Sequence, residues 1–200
     1  MKTNRLRRWS AGAAIFAAVI GLVACSSSQS DTAPYAQAAM NSYDRSPGAI
    51  KQVLDRTEVK CLAEAVFESV GRSTLRSAGI TPGSIERSSS PFRPLSGHLD
   101  RGQLSDLVTI ATDGRCFDAA RVLSAEVLAS SSAFRGLSNA KLRCFFGLVL
   151  ADRAVARELA LSLLGQGAPD SSALRAALND RAAVVVKLRR CNVDPSELSG

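Results

Sequence analysis

The chain has 200 residues, of which 25 are basic and 18 acidic, for a formal net charge of +7. Four of the basic residues lie within the first eight positions, so a chain that began at Cys25 would carry 21 basic and 18 acidic residues, a net charge of +3. That small excess removes the main electrostatic argument for nucleic-acid binding, and about 165 residues remain for one domain or two small ones.

The first 24 residues have the pattern of a secretory signal. Residues 11–24 carry no charge and follow a basic segment, and they are too few to cross a bilayer, which takes about 20 residues. Leu22-Val23-Ala24-Cys25 resembles the lipobox of bacterial lipoproteins. The resemblance implies a diacylglyceryl anchor on the sulfur of Cys25, with the mature protein on the extracytoplasmic face of the cell membrane. The alternative is an ordinary signal peptide that ends near a cysteine.

After Cys25 the chain is rich in serine and other small residues. Residues 26–34 read SSSQSDTAP, a composition typical of a flexible linker. We therefore predict a lipidated cysteine with a flexible tether over 25–46, helical units over 47–118 and 119–195, and a C-terminal tail over 196–200.

The first unit opens with a helix whose start is visible in the sequence. Asp55 can cap the backbone NH of Glu58 while Glu58 reaches back, and Leu54 can pack against Val59 as a hydrophobic staple. Apolar residues then recur every three or four positions, which predicts one buried helix face: Val59, Leu62, Val66 and Val70.

A loop and a second capped helix complete the first unit. Residues 80–97 hold three prolines and a run of serines, which predict a long loop. Asp100 and Gln103 repeat the capping box, and Gly114 ends the helix that follows. Its apolar positions are Leu104, Leu107, Val108 and Ala111.

Helices are also predicted throughout the second unit. A helix over 118–130 joins the units, and Ser138 caps the next one, whose apolar face is formed by Leu142, Phe145, Val149 and Leu150. A closing helix runs until Asn192 and Pro195 and includes the β-branched residues 184–186. Its apolar positions are Leu174, Leu178, Val185 and Leu188.

Four cysteines follow Cys25, an even number that indicates two disulfides outside the cytoplasm, and three pairings are open. An internal repeat favours one of them. The repeat is seen in LDRTEVKC, which ends at Cys61, and LSNAKLRC, which ends at Cys144. Both segments have a leucine, a cap, an aliphatic residue, a basic residue and a cysteine at the same positions. Cys116 and Cys191 each follow an arginine and precede an aspartate, which favours Cys61–Cys116 and Cys144–Cys191. A zinc site with four thiolates is the alternative, but it lacks any C-x2-C spacing.

This pattern resembles a group of actinobacterial secreted and lipid-anchored proteins with helical units bounded by an early and a late cysteine. The likeness covers about residues 50–195, and the motifs that carry it are Cys61, Cys116-Phe117-Asp118, Cys144 and Cys191-Asn192-Val193-Asp194. It implies an all-α fold of two tandem disulfide-stapled units that form one helical bundle, and it implies no activity. The second copy differs by one residue inserted before its aspartate.

The sequence offers few candidates for catalysis. His98 is the only histidine, so a Ser-His-Asp site would have to use it, and no G-x-S-x-G motif frames a serine. Glu64 and Glu68 share a helix face, where paired carboxylates are more often solvated than catalytic. No motif for a metal, a cofactor or a phosphate is present. We therefore predict a protein that is not an enzyme and needs no cofactor.

One basic cluster is a candidate contact site. Lys187, Arg189 and Arg190 suit the C-terminal end of a helix, where cations are favoured by a few tenths of a kcal/mol each. The same cluster is a candidate contact with an anionic lipid or wall polymer.

Together these features predict a lipid-anchored cell-envelope protein with a non-catalytic binding or structural role, whose protein or envelope partner is unidentified. The alternative is a carrier of a small apolar ligand or lipid between the two units. It is motivated by a helix that is apolar nearly all round, with Phe145, Phe146, Leu148 and Leu150. A hydrolase built on His98 is a third hypothesis.

Overall fold

The computed structural model describes residues 30–46, 49–130, 132–165 and 172–198. All regular secondary structure in these residues is helical, so the all-α prediction is confirmed. The signal peptide and the lipidated Cys25 of the sequence analysis lie outside the described residues.

Eleven α-helices and two short 3-10 helices make up this part of the chain. The α-helices are α1 (Ala33–Arg45), α2 (Ala49–Val53), α3 (Arg56–Val70), α4 (Arg72–Ser77), α5 (Pro82–Glu86), α6 (Arg101–Thr112), α7 (Ala119–Ser130), α8 (Asn139–Leu150), α9 (Arg153–Leu163), α10 (Ser172–Asn179) and α11 (Arg181–Arg190). The 3-10 helices are Arg93–Leu95 and Pro195–Glu197.

Two disulfides close the two units with the predicted pairing. Cys61 is bonded to Cys116 and Cys144 to Cys191, with Cα–Cα distances of 5.2 and 5.7 Å. In each pair, the early cysteine lies in the first half of a helix and the late cysteine lies after the end of another helix, four residues beyond α6 for Cys116 and one beyond α11 for Cys191. The structure is therefore a disulfide-stapled helical bundle.

Helices α3 and α6 run antiparallel, as the first disulfide requires. Cys61 lies near the start of α3, and its partner Cys116 follows the end of α6. At the other end of the pair, the side-chain amide of Gln103 in α6 donates to the carbonyl of Val70 in α3, 3.2 Å away.

The predicted helix starts are confirmed by their caps. Asp55 accepts from the backbone NH of Glu58 at 2.8 Å, and Glu58 accepts from the NH of Asp55 at 2.8 Å. Asp100 and Gln103 form the same box at 2.8 and 3.1 Å. Each box satisfies backbone donors that the first turn of a helix leaves without a partner.

The flexible tether predicted over 25–46 is wrong from residue 33 onward, because α1 is part of the folded body. The Tyr43 hydroxyl donates to the carbonyl of Leu54 at 2.8 Å in a buried site, and the Ser42 hydroxyl donates to Ser88 at 2.9 Å. The buried residues of α1 are Tyr35, Ala36, Ala38, Ala39, Met40, Ser42 and Tyr43. Their apolar surface joins the core of the first unit.

Ion pairs at both ends of α1 show how it lies on α3. Arg56, at the start of α3, pairs with Asp44 near the end of α1 at 3.1 Å. Arg72, just after α3, pairs with Asp31 ahead of α1 at 3.6 Å. The two helices are therefore antiparallel, and the described chain enters the body at the C-terminal end of α3.

Three further elements differ from the sequence analysis. The loop predicted over 80–97 contains α5 and a 3-10 helix. The predicted closing helix of the second unit is divided, because Asp180 ends α10 and caps α11 through the NH of Ala183 at 3.1 Å. Helix α9 follows a cap at Asp152, which accepts from Ala154 at 2.8 Å, and the sequence analysis contained no prediction for it.

Two apolar clusters form the core, and α9 contributes to both. The first cluster is built mainly by α1, α3, α5 and α6, and the second by α7, α8 and α11. From α9, Leu159 and Ala160 belong to the first cluster and Val155 to the second. The disulfides therefore divide the chain into two loops, but the core is not divided at the same place.

Candidate functional site

The segments that follow the late cysteines have the same local design in both units. Asp118, two residues after Cys116, accepts from the backbone NH of Arg121 at 3.0 Å and begins α7. Asp194, three residues after Cys191, accepts from the NH of Ser196 at 2.9 Å and begins a 3-10 helix. Both aspartates act as caps.

One side chain from each of these segments forms an ion pair with the helix that carries the disulfide partner of the preceding late cysteine. The Arg121 guanidinium contacts both carboxylate oxygens of Glu58 at 2.6 and 2.7 Å, and it donates to the carbonyl of Val53 at 2.7 Å. In the second unit, the Lys141 ammonium contacts the two oxygens of Glu197 at 2.7 and 3.0 Å. Each pair links the region of a disulfide to the start of a helix.

The four charged residues occupy corresponding positions with opposite signs. Glu58 and Lys141 each lie three positions after a cap, and each lies three positions before an early cysteine. Arg121 and Glu197 each lie three positions after the aspartate that follows a late cysteine. The sequence analysis aligned the caps and the cysteines but did not compare these positions, which would have revealed the reversed pair.

The acid of each pair also completes a capping box. Glu58 accepts from the NH of Asp55, and Glu197 accepts from the NH of Asp194 at 3.1 Å. The hydrogen bond from Lys141 is the main cause that lowers the pKa of the Glu197 carboxyl below its ordinary value. Both carboxylates are therefore held by the backbone and by a cation.

A large open groove runs between the start of the described chain and α3. Its volume is about 1010 Å³, and residues 30–37 form one side of it. The opposite side carries charged residues every fourth position, which places them on one helix face. These residues are Arg56, Lys60, Glu64, Glu68 and Arg72.

The charges along this groove are largely matched to each other. Arg56 pairs with Asp44, and its hydrogen bond lowers the pKa of that carboxyl. Lys60 lies 3.9 Å from Glu64. Glu64 and Glu68 thus share a face, as predicted, but both are exposed to solvent on the wall of an open groove. Carboxylates in such a setting are usually solvated rather than poised for acid–base chemistry.

A second depression lies between the two units. It has a volume of about 530 Å³ and is lined by small and polar residues from the end of α6, the start of α7 and the end of α8. Its lining includes Gly114, Asp118, Ala120, Gly147 and Leu150.

The apolar circumference of α8, which motivated the carrier hypothesis, is used in packing. Phe145 and Phe146 are fully buried, with ring centroids 5.1 Å apart, and each lies 5.6 Å from the ring of Phe134. Leu148 packs against the second core, and Leu150 packs against both. Contact with the rest of the bundle therefore accounts for these side chains without a ligand.

His98 lies in a turn after the 3-10 helix Arg93–Leu95 and is exposed. Its backbone NH donates to the carbonyl of Leu95 at 3.1 Å, and its side chain lines neither the groove nor the inter-unit depression. Neither of these two depressions therefore offers the concave site that the hydrolase hypothesis needs at this histidine.

The basic cluster occupies the last turn of α11, next to the second disulfide. Arg189 and Arg190 are exposed and Lys187 is half-buried. Among the described residues, none of the three has an acidic partner within 4.0 Å. Arg189 adds to the lowering of the Asp194 pKa, which is caused mainly by hydrogen bonds from Ser196.

In the described part of the chain, no three histidine, cysteine, aspartate or glutamate side chains are grouped so that they could hold a metal ion. No helix in that part is both long and apolar enough to cross a bilayer. Comparison with protein-family models, with curated proteins and with solved structures found no match.

Proposed function

We propose that this chain is a lipid-anchored helical protein of the cell envelope with a non-catalytic binding or structural role. The lipobox-like sequence at Cys25 supports the anchor, and two closed disulfides fit an oxidising compartment outside the cytoplasm. A diacyl anchor supplies two chains, which are enough for stable membrane attachment.

The observation that carries this proposal is the packing of α1 in the body. A tether that ended at residue 46 would reach about 70 Å from Cys25, whereas the link to Ser30 spans at most about 17 Å. In the anchored protein, the body is then held close to the bilayer. The side of the groove formed by residues 30–37 is the part of the described body nearest to Cys25 along the chain. A short link suits a protein that acts at the membrane surface rather than one that samples a wide volume.

The arrangement of polar side chains supports a role without catalysis. His98 is exposed in a turn, and Glu64 and Glu68 line an open groove beside cations. Catalysis usually requires such groups to converge in a cleft that restricts water.

The anchor is tested on protein purified from its native host. Mass spectrometry of the N-terminal peptide should find an acylated Cys25, and Cys25→Ser should move the protein from the membrane fraction to the soluble fraction. Ser27→Ala is the matched control and should leave the protein in the membrane. An unmodified first residue, or a Cys25→Ser protein that stays in the membrane, contradicts the anchor.

The non-catalytic role is tested by complementation of a deletion strain. His98→Ala and the double variant Glu64→Gln with Glu68→Gln should restore the wild-type phenotype at normal protein levels. Loss of complementation by His98→Ala, with the protein still folded and present, would replace this proposal by an enzymatic one.

A further inference from the structure

Charge is distributed unevenly between the two units. Residues 25–118 contain ten basic and eleven acidic residues, a net charge of −1. Residues 119–200 contain eleven basic and seven acidic residues, a net charge of +4. The net positive charge of the mature chain therefore comes from its second half, and the half that carries the anchor does not share it.

One contact between the two units lies at the end of α3 that is opposite to the chain entrance. Asp31 and Arg72 place the entrance at the C-terminal end of α3. Arg121 of α7 contacts Glu58 and Val53 at the N-terminal end. A helix of 15 residues separates these ends by about 22 Å.

A chain of contacts extends from this second end to the basic cluster. The side chain of Asp118, which begins α7, lies 3.3 Å from that of Arg143 in α8. The neighbour of Arg143 is Cys144, which is bonded to Cys191 at the end of α11. These contacts therefore connect the basic cluster to the N-terminal end of α3, which is opposite to the chain entrance.

We propose that the C-terminal end of α11, with Lys187, Arg189 and Arg190, binds an anionic polymer of the cell envelope that carries repeated phosphate or carboxylate groups. The location rests on the function proposed above, because a link shorter than α3 holds the opposite end of the molecule at the bilayer. Since the three cations have no acidic partner within 4.0 Å among the described residues, they give up no ion pair there when they bind an anion. Their attraction to a polyanion adds over several groups. The first unit has no net positive charge to draw the body down onto anionic lipid.

The helix dipole also favours cations at this position, so the test needs a charge-matched control. The full mature chain is purified from its host in neutral detergent, and its acylation is measured on the same sample. Binding to long-chain inorganic polyphosphate is then compared for three proteins. They are the wild type, the triple variant Lys187→Gln with Arg189→Gln and Arg190→Gln, and the control triple variant Arg153→Gln with Arg157→Gln and Arg175→Gln.

The cluster variant should bind polyphosphate about tenfold more weakly than the wild type, since three charge contacts are lost. The control variant removes the same net charge from exposed positions and should bind less than about threefold more weakly, because distant charges are screened. Far-UV circular dichroism verifies the fold. Because Lys187 is half-buried, the double variant Arg189→Gln with Arg190→Gln serves if the triple variant is unfolded.

Orientation is tested with the acylated protein in phosphatidylcholine vesicles. Added polyphosphate should slow hydrogen exchange at the end of α11 and leave α4 unchanged. Equal loss of binding in both triple variants, or no polyphosphate binding by the wild type, overturns the proposal. Tighter binding to phosphatidylglycerol vesicles that depends on the cluster also overturns it, in favour of a lipid surface. An unacylated chain that still binds polyphosphate through the cluster overturns the anchor alone.

Discussion

Arg121 contacts Glu58 in the first unit, and Glu197 contacts Lys141 in the second, at positions that correspond in the repeat. The caps and the disulfides are conserved between the units, while the signs of the pair are exchanged. At these positions the two units therefore share an ion pair, but not the position of the acidic and the basic residue within it. Had the segments after the late cysteines exchanged partners, Glu58 would face Glu197 and Lys141 would face Arg121. Repulsion between like charges therefore favours the arrangement in which each segment contacts the helix that is bonded to its own late cysteine.

The pairs also differ in burial. The side chains of Arg121 and Glu58 are 33% and 19% exposed, and those of Lys141 and Glu197 are 32% and 39% exposed. Arg121 also donates to the backbone carbonyl of Val53 through Nη1, while its Nη2 contacts both carboxylate oxygens of Glu58. We expect the first pair to stabilise the protein more than the second.

Removal of the disulfides should have the largest effect and a similar one in both units. Changing Cys61 and Cys116 to serine should lower the free energy of unfolding by about 4 kcal/mol, as should changing Cys144 and Cys191. The loops of 55 and 47 residues differ little because their length enters as a logarithm. Urea denaturation measures both values, with the reduced wild type as a control. A difference above about 2 kcal/mol would show that the units do not depend equally on their bridges.

Reversal of one charge in the first pair should have the next largest effect. Arg121→Glu places two carboxylates together and leaves the carbonyl of Val53 without its donor, which should cost about 2 kcal/mol. Adding Glu58→Lys copies the signs of the second unit and should recover about half of that loss. Arg76→Glu, an equal charge change at an exposed position, is the control. If the double variant is no more stable than Arg121→Glu, the exchange of signs is not tolerated in the first unit.

The units also differ in how a helix start is capped. Helices α3 and α6 carry local capping boxes, whereas α10 is capped by Glu158 of α9. That carboxylate accepts from the backbone NH groups of Ala173 and Leu174 at 2.7 and 3.0 Å. Glu158→Ala should cost about 1 kcal/mol and speed hydrogen exchange in α10. Arg157→Ala is the neighbouring control, and unchanged exchange in α10 would contradict the role of Glu158.

The smallest effect concerns the second pair and depends on pH. The folded-state pKa of Glu197 is lowered by Lys141, so the pair adds stability above the ordinary carboxyl pKa of 4.5 and loses it as the pH falls through the lowered value. Glu197→Gln should therefore be less stable than the wild type above about pH 5 and approach it towards pH 2. Glu64→Gln, at an exposed position, is the control. A stability difference that stays constant over this range would contradict the assignment.

Local signals were sufficient to predict much of the fold. Three helix starts could be predicted from their N-caps, Asp55, Asp100 and Ser138. Each cap side chain accepts a hydrogen bond from a backbone NH in the first turn, so the signal lies within three or four residues of sequence. The disulfide pairing followed from the repeat, since copies of one unit place equivalent cysteines alike.

Helix α1 was missed because its start lacks such a signal. Thr32 makes no side-chain capping bond, and the helix follows a serine-rich segment typical of a linker. The spacing of Tyr35, Ala39 and Tyr43 indicates a buried face, but alanine is a weak marker of burial. The groove could not be predicted, because it is assembled from the chain start, α1 and α3 only after folding.

Helix α9 gives the tandem architecture an unexpected property. It lies within the second disulfide loop, yet its residues Leu159 and Ala160 pack in the first core cluster. Either half expressed alone would expose the apolar side chains that pack against the other half, or would contain a cavity at that place. Heating should therefore produce a single calorimetric peak, because neither half can unfold without exposing the core of the other.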